Sequence, residues 1–267
     1  MADMDILFKL ADIAREAGDI TMQYFSHNAA VERKKDGTPV TEADKAAERC
    51  IFERLAQLDP ITPCIGEEDD NSRFDMTNLP KYWCIDPLDG TKEFIKDSPE
   101  FSVNIALVEA GKPTLGVIYA PALDLLYIGG EKIGSYKVAS DNSFERLPLA
   151  YYNSTDITIV TSHLYSGGGS PDKLRTALME QTDARIGFKR MGSSIKFCMV
   201  AEGSADAYIR AGRTMFWDTA AGHIIAKGAG AKVLAWNSRQ ELAYNTNGLE
   251  NPHFIVYNTR RLGKFKF

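Results

Sequence analysis

The sequence is short of the residues that staple, target or anchor a chain. Its 267 residues include four cysteines, Cys50, Cys64, Cys84 and Cys198. No two form a Cys-x-x-Cys pair and none has a histidine at zinc-finger spacing, which argues against a disulfide framework or a zinc site. They read as four reduced thiols of a cytoplasmic protein, three of them in apolar surroundings. The opening Met1-Ala2-Asp3-Met4-Asp5 is acidic and lacks the basic start of a signal peptide. No apolar run reaches the roughly 18 residues of a membrane-spanning helix. Positive charge is also scarce: 31 Lys and Arg stand against 36 Asp and Glu, a net charge of −5. That excludes a broad basic surface for polymeric nucleic acid, and leaves room for a small anion only where some local device reverses the sign. There is no Walker A run, and Gly228-Ala229-Gly230 trails a helix pattern instead of opening one, which removes P-loop and dinucleotide-binding readings. Internal repeats, low-complexity tracts and heptads are missing as well.

The remaining composition, 44% hydrophobic and 25% charged, is that of an ordinary globular protein. Its length suits one large domain or two packed lobes. Over residues 4–25 the residues Ile6, Leu7, Leu10, Ile13, Ala14, Ala17 and Ile20 share one helical face. Residues 31–40 contain Asp36-Gly37-Thr38-Pro39 and read as a turn. Thr41-Glu42-Ala43-Asp44 fits a capping box before a second helix over 42–58, which Asp59-Pro60 ends. Strands are expected around Cys64, over 82–85, and over 101–109 and 114–120 with Ala110-Gly111-Lys112-Pro113 between them, then over 124–139. Residues 140–155 read as a polar connection between an N-terminal lobe, 1–145, and a C-terminal lobe, 146–267. The second lobe shows a strand at 157–160, a loop at Ser166–Pro171, helices over 172–181, 193–202 and 219–229, and strands at 206–210, 232–236 and 253–258. The alternation is of α/β type.

Three acidic elements stand out. In Trp83-Cys84-Ile85-Asp86-Pro87-Leu88-Asp89-Gly90-Thr91 an apolar strand runs into a loop with two carboxylates three residues apart. Pro87 restricts the backbone and Gly90 permits a sharp turn and close ligand approach. Carboxylates held so close repel unless a cation lies between them, and oxygen ligands suit Mg²⁺ or Mn²⁺. A turn in which Asp86 and Asp89 only cap backbone amides is an equally ordinary reading. Ile65-Gly66-Glu67-Glu68-Asp69-Asp70 is a second such element, or a solvated acidic loop. In Phe216-Trp217-Asp218-Thr219-Ala220-Ala221-Gly222, Asp218 occupies an N-cap position before a helix of small residues, whose free amides also suit an anion. The functional case rests on the three together, converging in a cleft between lobes.

At these residues the chain resembles the inositol monophosphatase and fructose-bisphosphatase superfamily, with its Gly-Glu-Glu, Asp-Pro-x-Asp-Gly-Thr and Trp-Asp-x-Ala-Ala-Gly elements in this order. Lys92-Glu93-Phe94-Ile95, Phe101–Leu107, Gly192–Cys198 and Trp217–His223 make it most similar to the CysQ-type 3′(2′),5′-bisphosphate nucleotidase branch, over nearly the whole length. The resemblance implies a layered αβαβα sandwich, an α/β fold with the active site between two lobes. It implies roughly two or three Mg²⁺ ions, with Mn²⁺ as a substitute, on Glu67, Asp86, Asp89, Asp218 and the carbonyl of Leu88. Two such ions would cancel the four carboxylate charges and a third would leave the cleft positive.

The resemblance further assigns Asp44 and Thr91 to activating the attacking water, with Glu68 beside them as a catalytic carboxylate. Gly90, Thr91, Lys92, Ser193, Ser194, Lys196, Arg210 and Asp218 are the expected substrate contacts, Arg210 ahead of Arg213. Tyr208 and Trp217 are candidates to face a base or to fill the core. In place of the branch's usual Pro-Arg-Phe-Gly-Pro-like run stands Ile209-Arg210-Ala211-Gly212-Arg213-Thr214, which keeps the arginine. The expected reaction is lithium-sensitive, Mg²⁺-dependent hydrolysis of the 3′-phosphate of adenosine 3′,5′-bisphosphate, and of its sulfated form, in sulfur assimilation. The alternatives are an inositol or sugar-phosphate monophosphatase and a non-catalytic nucleotide-binding regulator. The expected partner is a small nucleotide bisphosphate, the expected state a monomer or homodimer, and the expected location the cytoplasm or the inner-membrane periphery.

Overall fold

The computed structural model describes residues 2–26, 31–34, 37–148, 155–163 and 169–266. Helix α1 (Ala2–Tyr24) leads to a short antiparallel hairpin, β1 (Val31–Arg33) and β2 (Pro39–Thr41), and then to α2 (Glu42–Leu58). A seven-stranded sheet follows: β3 (Cys64–Gly66), β4 (Lys81–Asp89), β5 (Ser102–Glu109), β6 (Lys112–Ala120), β7 (Leu125–Gly130), β8 (Gly134–Val138) and β9 (Phe144–Arg146). Neighbours in the chain are neighbours in this sheet, and all pairs are antiparallel except β3–β4. The one-turn helix α3 (Thr91–Ile95) links β4 to β5.

A second, five-stranded sheet has the order β11-β10-β12-β14-β13. Its parts are β10 (Ile157–Thr161), α4 (Gly169–Met179), β11 (Ile186–Arg190), α5 (Ile195–Glu202), β12 (Ala207–Arg210), α6 (Phe216–Gly228), β13 (Ala231–Ala235), β14 (Phe254–Asn258) and α7 (Thr259–Leu262). Strands β11 and β12 run parallel to β10, while β14 is antiparallel to both its neighbours.

Period-two alternation builds the layers. In the first sheet Trp83, Ile85, Val103, Ile105, Leu107 and Val117 pack under α1 and α2 with Leu7, Leu10, Ala14, Ile51 and Leu55. The intervening Tyr82, Cys84, Ala106, Val108 and Ile118 face the other way, onto α5 and α6. Those two helices also receive Tyr208, Phe254 and Val256 from the second sheet. The alternate residues Ala207, Ile209 and Ile255 pack against Leu174 and Leu178 of α4 and Leu262 of α7. The layers are therefore helix, sheet, helix, sheet, helix, the αβαβα sandwich. A helix covered on both sides must be apolar nearly all round, and α5 and α6 are. Gly222 lets them meet closely: a Cβ there would lie 2.4 Å from Cγ of Phe197.

Several expectations are corrected. Residues 140–155 contain a strand, β9, the last of the first sheet; residues 149–154 lie outside the described residues, as do Asp36 and Ser166-Gly167-Gly168 of the expected turn and loop. The turn at 31–40 is flanked by the paired β1 and β2. Strand β4 does not stop at Ile85 but continues through Asp86 to Asp89, its register shifting between those two residues. Pro87 has no amide to give the ladder, so it sits where the ladder is interrupted. Pro113 likewise lies inside β6, opposite a register shift between Leu107 and Val108. Strand β11, read as no element, is an edge strand that half-buries only Ile186 and Phe188 and leaves Gly187, Lys189 and Arg190 exposed. Helix α6 begins at Phe216, three residues ahead of the expected start.

Candidate active site

Because β3 and β4 are parallel, with Gly66 opposite Ile85, their ends emerge side by side. Glu67 follows β3, and its amide bonds the Ile85 carbonyl at 3.2 Å. Asp86 is the next residue of β4, so two strand ends deliver two carboxylates to one point. Asp218 arrives from the first turn of α6. Carboxylate oxygens of Glu67, Asp86 and Asp218 all lie within 4.8 Å of one another. Asp218 is the third residue of α6, not its N-cap, a correction with a simple cause. A carboxylate at either position can cap a first-turn amide, and here it reaches back to the Met215 N–H at 2.7 Å.

The electrostatics of this group favour a cation. Burial, and then the charges of Glu67, Asp89 and Asp218, hold the Asp86 carboxyl well above the usual range. Asp218 is raised by burial and then by Asp89 and Glu67. Oδ1 of Asp86 accepts the Leu88 amide at 3.0 Å, whereas its buried Oδ2 has no hydrogen-bond partner among the described residues. Crowded, desolvated carboxylates with an orphaned oxygen, and oxygen donors only, fit a hard divalent cation such as Mg²⁺ or Mn²⁺. Asp89 is not part of the tight trio. It lines the same cleft, where burial raises its carboxyl against the charge of Lys196 and the Ser194 amide that it accepts.

Asp44 is the third residue of α2, and its Oδ2 accepts from the amide and hydroxyl of Thr41 at 2.7 and 2.6 Å. Burial raises its carboxyl despite those bonds. Thr91 follows Gly90, whose φ of +98° suits glycine, and so turns off the end of β4. Its hydroxyl is 3.3 Å from Oδ1 of Asp44 and 3.3 Å from the Leu88 carbonyl. Glu68 stands behind Glu67; burial, only partly offset by Lys34, pushes its carboxyl up to about 7.

The cleft holds about 250 Å³ and is lined by Glu67, Leu88, Asp89, Gly90, Thr91 and Lys92 on the first-sheet side. Ser193, Ser194, Lys196, Tyr208, Arg210 and Asp218 line it from the second. Lys196 is not the solvated lysine that its type suggests. It is 5% exposed, its ammonium on the carbonyls of Met191 and Ser193, and burial lowers its pKa to about 8 against the pull of Asp89. Arg210 donates to the Arg213 carbonyl at 3.3 Å, but its buried Nε has no partner among the described residues. Arg213 pairs with Glu250 at 3.3 Å outside the cleft lining, and Trp217 belongs to the core.

Two charged residues beside the site escape the sequence reading. Lys34, just after β1, sits 2.6 Å from both Glu67 and Glu68. Burial works against its charge, yet the two glutamates hold its pKa above the ordinary range. Nothing in a polar hairpin marks it. Glu48 accepts the Glu68 amide at 3.0 Å, and burial pushes its carboxyl up to about 8. It had a signal: with Asp44 it occupies the apolar stripe of α2 that also carries Ala47, Ile51 and Leu55.

Residues 3–262 match the inositol monophosphatase family. The chain belongs to that family. Among inositol monophosphatase-family relatives, the 3′(2′),5′-bisphosphate nucleotidase CysQ of Salmonella typhimurium is 41% identical over 253 residues, covering 94% of this chain and 99% of that protein. The CysQ of Escherichia coli K12 is 39% identical over the same shares. The crystal structure of CysQ from Bacteroides thetaiotaomicron superposes with a TM-score of 0.79 at 35% identity, covering 94% of this chain and 97% of that one. An inositol monophosphatase from Thermotoga maritima gives a TM-score of 0.75 at 27% identity, covering 97% and 92%. No described helix is long and apolar enough to cross a membrane.

Proposed function

We propose that the protein removes the 3′-phosphate of adenosine 3′,5′-bisphosphate, giving AMP and phosphate, that it also accepts the sulfated nucleotide, and that it serves sulfur assimilation in the cytoplasm. The observation that carries the reading is a cleft lined by charges of both signs. The carboxylates Glu67, Asp86 and Asp218 converge on one point, and the cations Lys196 and Arg210 line the same cleft. A bisphosphate needs both, one phosphate at the reacting end and one against a fixed positive charge. The activity named for the CysQ relatives agrees with this choice.

Glu67, Asp86 and Asp218 would hold the metal, with Asp89 and the Leu88 carbonyl next to them. When bound, Mg²⁺ supplies Lewis-acid charge for the phosphoryl oxygens and makes water more acidic. The Thr91 hydroxyl orients the attacking water, and Asp44, a carboxylate already raised by burial, takes the proton through it. Glu68 is the second proton acceptor near this point. The water oxygen forms the new bond to phosphorus, the ribose O3′ leaves, and it recovers a proton from the site. Ser193, Ser194 and Gly90 approach the phosphates, Lys92 covers the rim, and Arg210 takes the 5′-phosphate.

The test is phosphate release by purified protein with Mg²⁺, from adenosine 3′,5′-bisphosphate and from inositol 1-phosphate, with and without lithium. The nucleotide should be preferred at least about tenfold in kcat/KM, with loss of turnover in lithium or chelator. Preference for inositol 1-phosphate would replace this reading with an inositol monophosphatase. Tight nucleotide binding without phosphate release would replace it with a regulator.

A further inference from the structure

One carboxylate joins the two sheets at the mouth of the cleft and has no part in the chemistry above. Glu100 lies in the segment that leads from α3 into β5, on the first-sheet side. Its Oε2 accepts the Gly192 amide at 2.6 Å and also meets Nε2 of His163. Both partners belong to the second sheet's side: His163 follows β10, and Gly192 opens the turn between β11 and α5. The fit is close at Gly192, where a Cβ would stand 2.5 Å from the Glu100 carbonyl oxygen and 2.8 Å from the Glu100 Cβ.

The turn so held carries substrate-facing groups. Ser193 has a φ of +45°, a left-handed conformation that costs a non-glycine residue energy. Something must therefore over-determine it. The Ser194 hydroxyl crosses to the first sheet, 2.9 Å from the Ser102 hydroxyl and 2.7 Å from Oδ1 of Asn104. The Ser194 amide reaches Asp89, and the Ser193 carbonyl receives the Lys196 ammonium. A small displacement of this turn moves the hydroxyls and the lysine together.

We propose that Glu100 is a positioning residue: its carboxylate pins the Gly192–Ser194 turn and the His163 ring against the first sheet, and so sets how tightly the cleft grips its phosphorylated substrate. The inference rests on the phosphatase reading, because the grip is measured on that substrate. It does not require Glu100 to touch the reacting atoms. Asn104, Ser102 and Ser194 form a neutral part of the same stitch, and Glu100 supplies its charged part.

The experiment compares Glu100→Ala, Glu100→Asp and Glu100→Gln with wild type in Mg²⁺, by steady-state kinetics on adenosine 3′,5′-bisphosphate and by hydrogen exchange of the peptide over residues 190–194. Glu100→Ala should raise KM about tenfold with kcat within about twofold, the pattern of lost uniform binding. Glu100→Gln keeps an oxygen for the Gly192 amide and should return KM to within about threefold of wild type. Glu100→Asp, whose carboxylate falls short by one methylene, should resemble Ala, and it keeps the test open if the alanine variant fails to fold. Exchange of the 190–194 peptide should accelerate about tenfold or more in the Ala and Asp variants. An unchanged KM with unchanged exchange overturns the proposal, as does a fall in kcat alone. A wild-type protein that releases no phosphate from this nucleotide overturns the activity reading instead, and the exchange measurement then decides by itself whether Glu100 holds the turn.

Discussion

The two sheets contribute opposite halves of the site by different means. In the first, parallel β3 and β4 end together, and a break in the β4 ladder at Pro87 lets Asp86, Leu88, Asp89 and Thr91 leave the strand in different directions. Its charged groups in the cleft are mostly anionic, Lys92 aside. In the second, the functional groups sit at helix starts and on a buried strand: Asp218 in the first turn of α6, Ser193 and Ser194 before α5, Lys196 on α5 and Arg210 at the end of β12. Apart from Asp218, that contribution is neutral or cationic. Strand ends therefore crowd like charges that a metal would relieve. Helix starts and a desolvated lysine present fixed positive or dipolar groups that need none. Such a division gives a chain of net charge −5 the fixed positive charge that the proposed bisphosphate substrate requires.

Asp218 breaks this division, so it is the sharpest place to test it. Asp218→Asn should lower Mg²⁺-dependent turnover by about 10²–10³-fold or more, the loss of a stabilising group at the reacting centre. The same change relieves repulsion among buried carboxylates, so the metal-free variant should unfold at higher urea than metal-free wild type. Turnover near normal would remove Asp218 from the metal group. Next in size is Arg210→Ala, which should raise KM for adenosine 3′,5′-bisphosphate about 10–100-fold, the worth of a charged hydrogen bond. Its effect on inositol 1-phosphate should be several times smaller, and equal effects on both substrates would show that Arg210 does not read a second phosphate.

Gly222→Ala tests the wall between the two halves. A methyl group set 2.4 Å from the Phe197 ring forces α5 and α6 apart and should cost about 1–3 kcal/mol of unfolding free energy in urea. The smallest expected effect concerns the anionic half alone. The carboxyl of Glu48 is raised from 4.5 to about 8 in the folded protein by burial. A raised pKa contributes stability fully present below about 4.5 that is lost as pH climbs through about 8. Metal-free Glu48→Gln should therefore gain on metal-free wild type as pH rises from 5 to 8, in the difference between their urea midpoints. A pH-independent difference would refute this assignment.

Much of the molecule was legible wherever one physical pattern dominated. Helix α2 runs over the expected 42–58 because its capping box and its Asp59 stop are local. Strands β5 and β6 were legible as β-branched and aromatic runs on either side of Ala110-Gly111-Lys112-Pro113, apolar on both faces because each face serves a different neighbour. The meeting of three acidic elements was legible because each adjoins an apolar element with a turn residue nearby, while the choice of Glu67 over Glu68 came only with the family resemblance. Edge strand β9 was not legible, since a strand exposed along its length has no burial period to print in the sequence, and β11 offers only Ile186 and Phe188, a two-residue alternation too short to stand out. Lys196 was expected at the substrate on the family resemblance alone, and its burial was not legible, because residue type says nothing about carbonyls that converge from a neighbouring turn. Lys34 and Glu100 were invisible for a related reason: each acts on partners more than 30 residues away, and pairing over such a distance leaves no local mark.

The shared middle layer has a consequence for how the chain comes apart. Helices α5 and α6 are the inner cover of both sheets, so neither sheet can shed them without exposing the apolar face of the other. The two halves, though built from successive stretches of chain, are bound into one cooperative unit, and denaturant should melt them in a single transition. The amides of α6 should be among the last to exchange, opening only when the whole molecule does.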